Sequence, residues 1–212
     1  IKSSIQDYDV FFSQTAFQTL NDELNPDDVI FVDKNVFFLL NDQMKRTITA
    51  RKHIFIEATE SQKSYSALAP IIEQLIERQF RKNDRLICIG GGITQDITAF
   101  IASLMYRGVE WLFFPTTLLA QADSCIGGKT SINIGRFKNQ LGNFYPPRKI
   151  FIMPELLKSL PELDFKSGMG EMLHFYLVSG EDDFGFYQQN YDKAFTDESA
   201  LMSLITRNLE IK

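Results

Sequence analysis

Short apolar runs, separated by amphipathic stretches of helical length, constrain this chain more than any other feature. Val10 to Phe12, Val29 to Val32, His53 to Ile56, Leu86 to Ile89, Trp111 to Phe114 and Ile150 to Ile152 have strand length and favour β-branched and aromatic residues. Between them lie Thr15 to Leu24, Asn35 to Met44, Ser64 to Phe80 and Thr94 to Tyr106, each read as a helix. The third is the clearest, because Leu68, Ile71, Ile72, Leu75 and Ile76 recur at helical spacing and form one stripe to bury. Strands alternating with helices predict an α/β fold, Rossmann-like, with a mostly parallel sheet covered on both faces.

The character changes after Pro154. No strand is evident there, and helical patterns run over Glu155 to Ser159, Phe165 to Val178, Asp183 to Tyr191 and Glu198 to Ile211. The expected organisation is an α/β domain over 1–153 and the first helices of an all-helical domain over 154–212. Leu209-Glu210-Ile211-Lys212 carries no helix stop signal, so the natural protein is expected to continue for roughly another hundred residues. A length of 212 residues suits one domain plus part of another.

Charge narrows the partners. The net charge of −5 comes from 22 basic and 27 acidic residues, scattered without a run of one sign. Neither nucleic acid nor a membrane surface is expected, whereas a few placed lysines can still hold a small anion. Ile1-Lys2-Ser3-Ser4 begins no apolar signal segment and no apolar run has spanning length, which predicts a cytoplasmic protein. Cys88 lies in an apolar run and reads as a buried small hydrophobe, and a disulfide with Cys125 is not expected.

Two segments can carry chemistry. Gly90-Gly91-Gly92-Ile93-Thr94-Gln95-Asp96 follows a strand and opens a helix. Glycines allow a ligand close to the backbone, and the helix N-terminus offers N–H groups to a phosphate. A tight turn with no ligand, and Asp96 as a first-turn acid, is the alternative. The second segment, Pro115-Thr116-Thr117-Leu118-Leu119-Ala120-Gln121-Ala122-Asp123-Ser124-Cys125-Ile126-Gly127-Gly128-Lys129-Thr130, packs hydroxyls, a carboxylate, a glycine pair and a lysine after a strand. Asn133 and Lys138-Asn139-Gln140-Leu141-Gly142-Asn143 follow. Singly, each of these polar residues also fits a turn or a cap.

Together, the run from Gly90 to Glu171 resembles the signature region of the 3-dehydroquinate synthase family of NAD-dependent sugar-phosphate cyclases. The glycine turn with Asp96, Arg107-Gly108, the Thr116-Thr117 segment, Asp123-Ser124, Gly127-Gly128-Lys129-Thr130, Lys138-Asn139, Leu160-Pro161, Gly168 and Glu171 carry the match. Asp33-Lys34-Asn35 and Glu60 with Lys63 extend it toward the N-terminus.

The resemblance implies a site, residue by residue. NAD is expected across Gly91 and Gly92 beside Asp96, with Asp33, Asn35, Glu60, Lys63, Thr116, Thr117, Lys138 and the stretch from Leu156 to Ser159 completing its pocket. Asp123, Lys129 and Asn139 are expected to face a phosphorylated sugar, Lys129 also lying near the cofactor. Arg107 is expected to reach a neighbouring subunit, implying a homodimer through the α/β domain. Glu171 is expected to be one ligand of a divalent metal, Zn²⁺ or Co²⁺. The implied activity is a carbon–oxygen lyase and cyclase that turns a heptulosonate-type sugar phosphate into a carbocycle with loss of phosphate.

Departures from the family pattern qualify this. His174 stands where a substrate-contacting lysine is usual, as either a substrate contact or a bystander, and Gln95 stands where a small residue is usual. The only histidines are His53 and His174, and His53 opens a strand as a structural residue. Three protein ligands are normal for catalytic zinc, so this stretch of chain is expected to be inactive alone. A paralogue with another sugar phosphate, and a non-catalytic module that binds NAD or dimerises, are the competing readings.

Overall fold

Strands whose every side chain is apolar have no solvent face, and they must lie inside a sheet covered on both sides. The computed structural model, which describes all residues except 4, 14 and 159, places them so. β2 (Val29–Asp33), β4 (Leu86–Gly90) and β5 (Trp111–Pro115) are buried along their whole length. With β1 (Asp9–Phe12), β3 (Lys52–Ile56) and β8 (Lys149–Ile152) they form one parallel sheet in the order β1-β8-β5-β4-β2-β3. All six predicted strands are present, each extended by one residue at one end.

Side chains alternate across this sheet, as the two-residue period requires. Val29, Phe31, Leu86, Cys88, Trp111 and Phe113 join the core on one face, which also receives Leu68 and Leu75 of α4 (Tyr65–Glu77) and Ile97 and Ile101 of α5 (Gly92–Leu104). Ile30, Val32, Ile87, Ile89, Leu112 and Phe114 join the other, against Leu20 of α1 (Ala16–Glu23) and Met44 and Ile48 of α3 (Asp42–Thr49). Cys88 and Cys125 are both buried and free.

The predicted helix from Asn35 to Met44 is two helices, α2 (Lys34–Leu39) and α3. Leu40 is extended, and the side chain of Asn41 accepts from the Met44 N–H at 2.9 Å, which starts a new helix there. A second difference is an antiparallel hairpin, β6 (Ile132–Ile134) with β7 (Phe137–Leu141), where no element was predicted. Its two-residue turn has Gly135 at φ 56°, the arrangement that glycine supports in a tight hairpin.

Every element after β8 is helical among the described residues. A 3₁₀ turn (Pro154–Leu157) leads to α6 (Glu162–Ser179), α7 (Glu181–Tyr191) and α8 (Glu198–Ile211). Met169, Met172 and Tyr176 of α6 and Leu204 and Ile205 of α8 pack into the same core as α4 and α5. Tyr187 donates to the Met169 carbonyl and Tyr176 to the Leu204 carbonyl, both at 2.8 Å, so the buried hydroxyls tie the three helices together.

Candidate cofactor and substrate site

The strand order sets the location. From β2 the chain passes to β3 on one side, and from β4 it passes to β5 on the other, so the connections diverge between β2 and β4. A crevice at such a divergence, beyond the C-terminal strand ends, is where open α/β sheets bind ligands. Asp33 ends β2 and Gly90 ends β4.

Asp33 is buried and caps α2, its Oδ1 accepting from the N–H groups of Asn35 (2.8 Å) and Val36 (3.4 Å). Gly91 caps α5 with no side-chain hydrogen bond, so the first turn presents backbone N–H groups. A Cβ at Gly91 would meet Thr117 Cγ2 at 2.8 Å, and one at Gly92 would find its nearest atom, Ser124 Oγ, at 4.0 Å. The turn is therefore closed on the Gly91 side and open at Gly92. Thr94 and Thr116 each bury a hydroxyl without a partner among the described residues. Open backbone, a helix N-terminus and orphan hydroxyls fit a phosphate-bearing nucleotide.

Lys63 draws the two predicted halves of the site together. Its Nζ lies 2.6 Å from Asp96 Oδ2 and donates to Asn139 Oδ1 at 2.8 Å. Asp96 belongs to the glycine-turn helix and Asn139 to β7, where it adopts φ 55°. Burial pushes the Asp96 carboxyl above the ordinary range, and the ammonium of Lys63 opposes that rise. Glu60 accepts from Asn133 Nδ2 at 2.8 Å and pairs at 3.6 Å with the exposed Lys138. That hydrogen bond holds the Glu60 carboxyl below its ordinary value.

Asp123 lies in a π-helical turn, Ala120–Ser124, a rare geometry frequent at functional sites. Its carboxylate pairs with Lys212 at 2.8 Å. Nothing local in the sequence links Lys212 to Asp123, two residues so far apart. Gln95 also has a place: its Nε2 donates to the Ser124 carbonyl and its Oε1 accepts from the Ser124 hydroxyl, both at 2.6 Å. A cleft of about 540 Å³, lined by Tyr8, Gly127, Gly128, Phe144 and Lys212 among others, opens beside this turn.

The remaining predicted residues are spread more widely. Lys129 is exposed next to Gly128 and its backbone bridges to Phe144. Arg107 is exposed at φ 64° in a strained turn with Tyr106 at φ 49° and Gly108 at φ 111°. Leu156 is buried in the core with Ile30 and Met44, away from the glycine-turn face. Ser159 lies outside the described residues. Glu171 and His174 are both exposed, three residues apart on α6 and so on one face. No three His, Cys, Asp or Glu side chains gather to hold a metal among the described residues, so Glu171 is a single candidate ligand. His53 packs edge-on against Phe55 with Nδ1 3.0 Å from the Arg51 carbonyl, as a structural residue does.

Residues 53–167 match the family model described as 3-dehydroquinate synthase N-terminal. The chain belongs to the 3-dehydroquinate synthase family. It is 34% identical over 194 residues to the 3-dehydroquinate synthase of Clostridium tetani (strain Massachusetts / E88), covering 91% of this chain and 52% of that protein. It is 38% identical over 178 residues to the enzyme of that name from Prochlorococcus marinus (strain MIT 9515), covering 82% and 48%. The chain thus spans about half the length of these curated relatives. Among solved structures, it superimposes on ValA, a 2-epi-5-epi-valiolone synthase from Streptomyces hygroscopicus subsp. jinggangensis 5008 solved with NAD⁺ and Zn²⁺, with TM-score 0.84. That match is at 25% identity and covers all of this chain and 61% of that one. The Rossmann-like α/β architecture of this family is the one the apolar runs predicted.

Proposed function

We propose that the protein is an NAD-dependent sugar-phosphate cyclase of the 3-dehydroquinate synthase type, and that this chain supplies its cofactor pocket and part of its substrate site. One observation carries the reading: Lys63 joins Asp96, at the glycine turn, to Asn139, on the hairpin. Cofactor and substrate chemistry that takes place on adjacent atoms needs such a junction. Bound NAD supplies a reversible hydride acceptor that turns a substrate hydroxyl into a ketone and thereby acidifies the neighbouring C–H.

The chain's own groups have clear tasks in this proposal. The α5 N-terminus and Gly92 hold the pyrophosphate, and Asp33 accepts from a ribose hydroxyl. Lys129, exposed, holds the phosphate that leaves, and Lys138, paired with Glu60, completes the NAD pocket. Asp123 and Asn139 orient substrate hydroxyls. A heptulosonate-type substrate, a homodimer through Arg107 and a cytoplasmic setting belong to the same proposal. Among the described residues, no helix is long and apolar enough to cross a membrane.

A Zn²⁺ or Co²⁺ ion with Glu171 as one ligand is also proposed for the whole protein. Among the described residues no cluster of His, Cys, Asp or Glu assembles that site. His174 favours a second reading, a cyclase acting on a different sugar phosphate. An imidazole is shorter than a lysine side chain and carries no ammonium group, so it does not make the same contact. The test is phosphate release by the complete protein from a heptulosonate phosphate, with NAD and Zn²⁺ supplied. Turnover supports the synthase reading; release from another sugar phosphate alone supports the second; release from none contradicts both.

A further inference from the structure

We infer that Asn133 is the positioning residue of the proposed cofactor pocket, locking the β3–α4 loop to the β6–β7 hairpin; the inference rests on the cofactor reading above. Asn133 is 5% exposed, and nearly all of its hydrogen-bonding capacity is directed at two segments. Its Nδ2 donates to Glu60 Oε1 at 2.8 Å and to the Glu60 carbonyl at 3.3 Å. Its Oδ1 accepts from the Asn139 N–H at 2.8 Å, and its own N–H donates to the Lys63 carbonyl at 2.9 Å. Ser64 and Asn133 also form an isolated parallel bridge.

These bonds fix three partners at once. Glu60 is held ionised, with Asn133 the largest influence on its carboxyl. The Lys63 backbone is held where its side chain spans Asp96 and Asn139. The Asn139 backbone is held in its left-handed conformation. Only a primary amide of this length meets the demand, because one end must donate to a carboxylate while the other accepts from an N–H. The reversed amide would set oxygen against carboxylate and N–H against N–H, so its orientation is determined. An aspartate would place a second carboxylate against Glu60 and lose the donor. Asn133 itself is assigned no contact with ligand; it acts through Glu60, Lys63 and Asn139.

The experiment is calorimetric NAD titration of the full chain as wild type, N133D, E60Q and N133D/E60Q, at about pH 8 and about pH 5.5. At the higher pH, N133D is expected to bind roughly tenfold more weakly than wild type. At the lower pH the ratio should shrink, because the introduced carboxyl, raised by burial and by Glu60, takes a proton and can donate again. In the E60Q background the N133D penalty should vanish, since the introduced amide donates to the introduced carboxylate. A penalty that is absent, or equal at both pH values and in both backgrounds, would overturn the inference. Should N133D not fold, N133S serves: it is expected to weaken NAD binding about tenfold at both pH values, and wild-type affinity would contradict the role. Absence of NAD binding by folded wild-type protein would remove the cofactor reading, and this inference with it.

Discussion

Lys212 Nζ sits 2.8 Å from Asp123 Oδ1 and donates to the Asp123 carbonyl at 2.6 Å and the Ile126 carbonyl at 3.2 Å. One helical turn earlier, the fully buried Asn208 donates to the Ala122 carbonyl at 2.8 Å. Asn208 of α8 and Lys212, which follows the helix, therefore grip the π-helical turn that carries Asp123. N208A removes a buried bond and leaves a carbonyl without its partner, so it should destabilise the fold by about 1–3 kcal/mol. K212A breaks a pair about one quarter exposed and should lose about 1 kcal/mol or less, diminishing with salt. Urea unfolding at low and high salt separates the two.

Removing Lys63 leaves the Asp96 carboxylate in a protein environment with its cation gone. K63M should lose about 3 kcal/mol at neutral pH. The pH dependence has a definite sign. Burial already raises the folded carboxyl above its ordinary 3.8, and loss of the ammonium raises it further. The folded state then binds the proton more readily than the unfolded state, so stability falls as pH rises through that interval. Relative to wild type, K63M should be least destabilised in acid and most destabilised above the raised value. Urea melts across the acid-to-neutral range check this.

Two glycines of α6 should respond in opposite directions. A Cβ at Gly168 would meet Leu118 Cβ at 2.7 Å and the Leu119 N at 3.0 Å, where α6 crosses the Thr117 segment. G168A should therefore cost about 1–3 kcal/mol through overpacking. Gly170 is exposed, with nothing within 4 Å of such a Cβ. G170A should stabilise the helix by about 0.5–1 kcal/mol. Thermal melts of the two variants give the comparison directly.

Both thiols should be inert in the native protein. Burial pushes Cys125 up to about 12 and Cys88 higher still, and neither side chain reaches solvent. The thiolate is the reactive form. A colorimetric thiol reagent should label neither cysteine in native buffer and both in denaturant; rapid native labelling would contradict the packing.

The central strands were legible because burial on both faces leaves an unbroken apolar run, as in Leu86-Ile87-Cys88-Ile89. The hairpin was not, since Phe137-Lys138-Asn139-Gln140-Leu141 is mostly exposed and polar and carries no period-two signal. Its one cue was Gly135 between the two short runs. Asn41 followed by Asp42 was a readable helix start, overridden by the apolar stretch before it. The site divides in the same way. Glycines after a strand point to a ligand by themselves, whereas the junction of Lys63 with Asp96 and Asn139 depends on a loop and a hairpin 76 residues apart. Lys212 beside Asp123 is a product of tertiary folding alone.

Calorimetric titration of the folded chain with NAD, beside D96A, tests the central claim most directly. The account predicts saturable binding that D96A weakens by roughly tenfold or more, with circular dichroism showing both proteins folded. No binding by the folded wild-type chain, or equal binding by D96A, would contradict the cofactor pocket described around Gly91, Gly92 and Asp96.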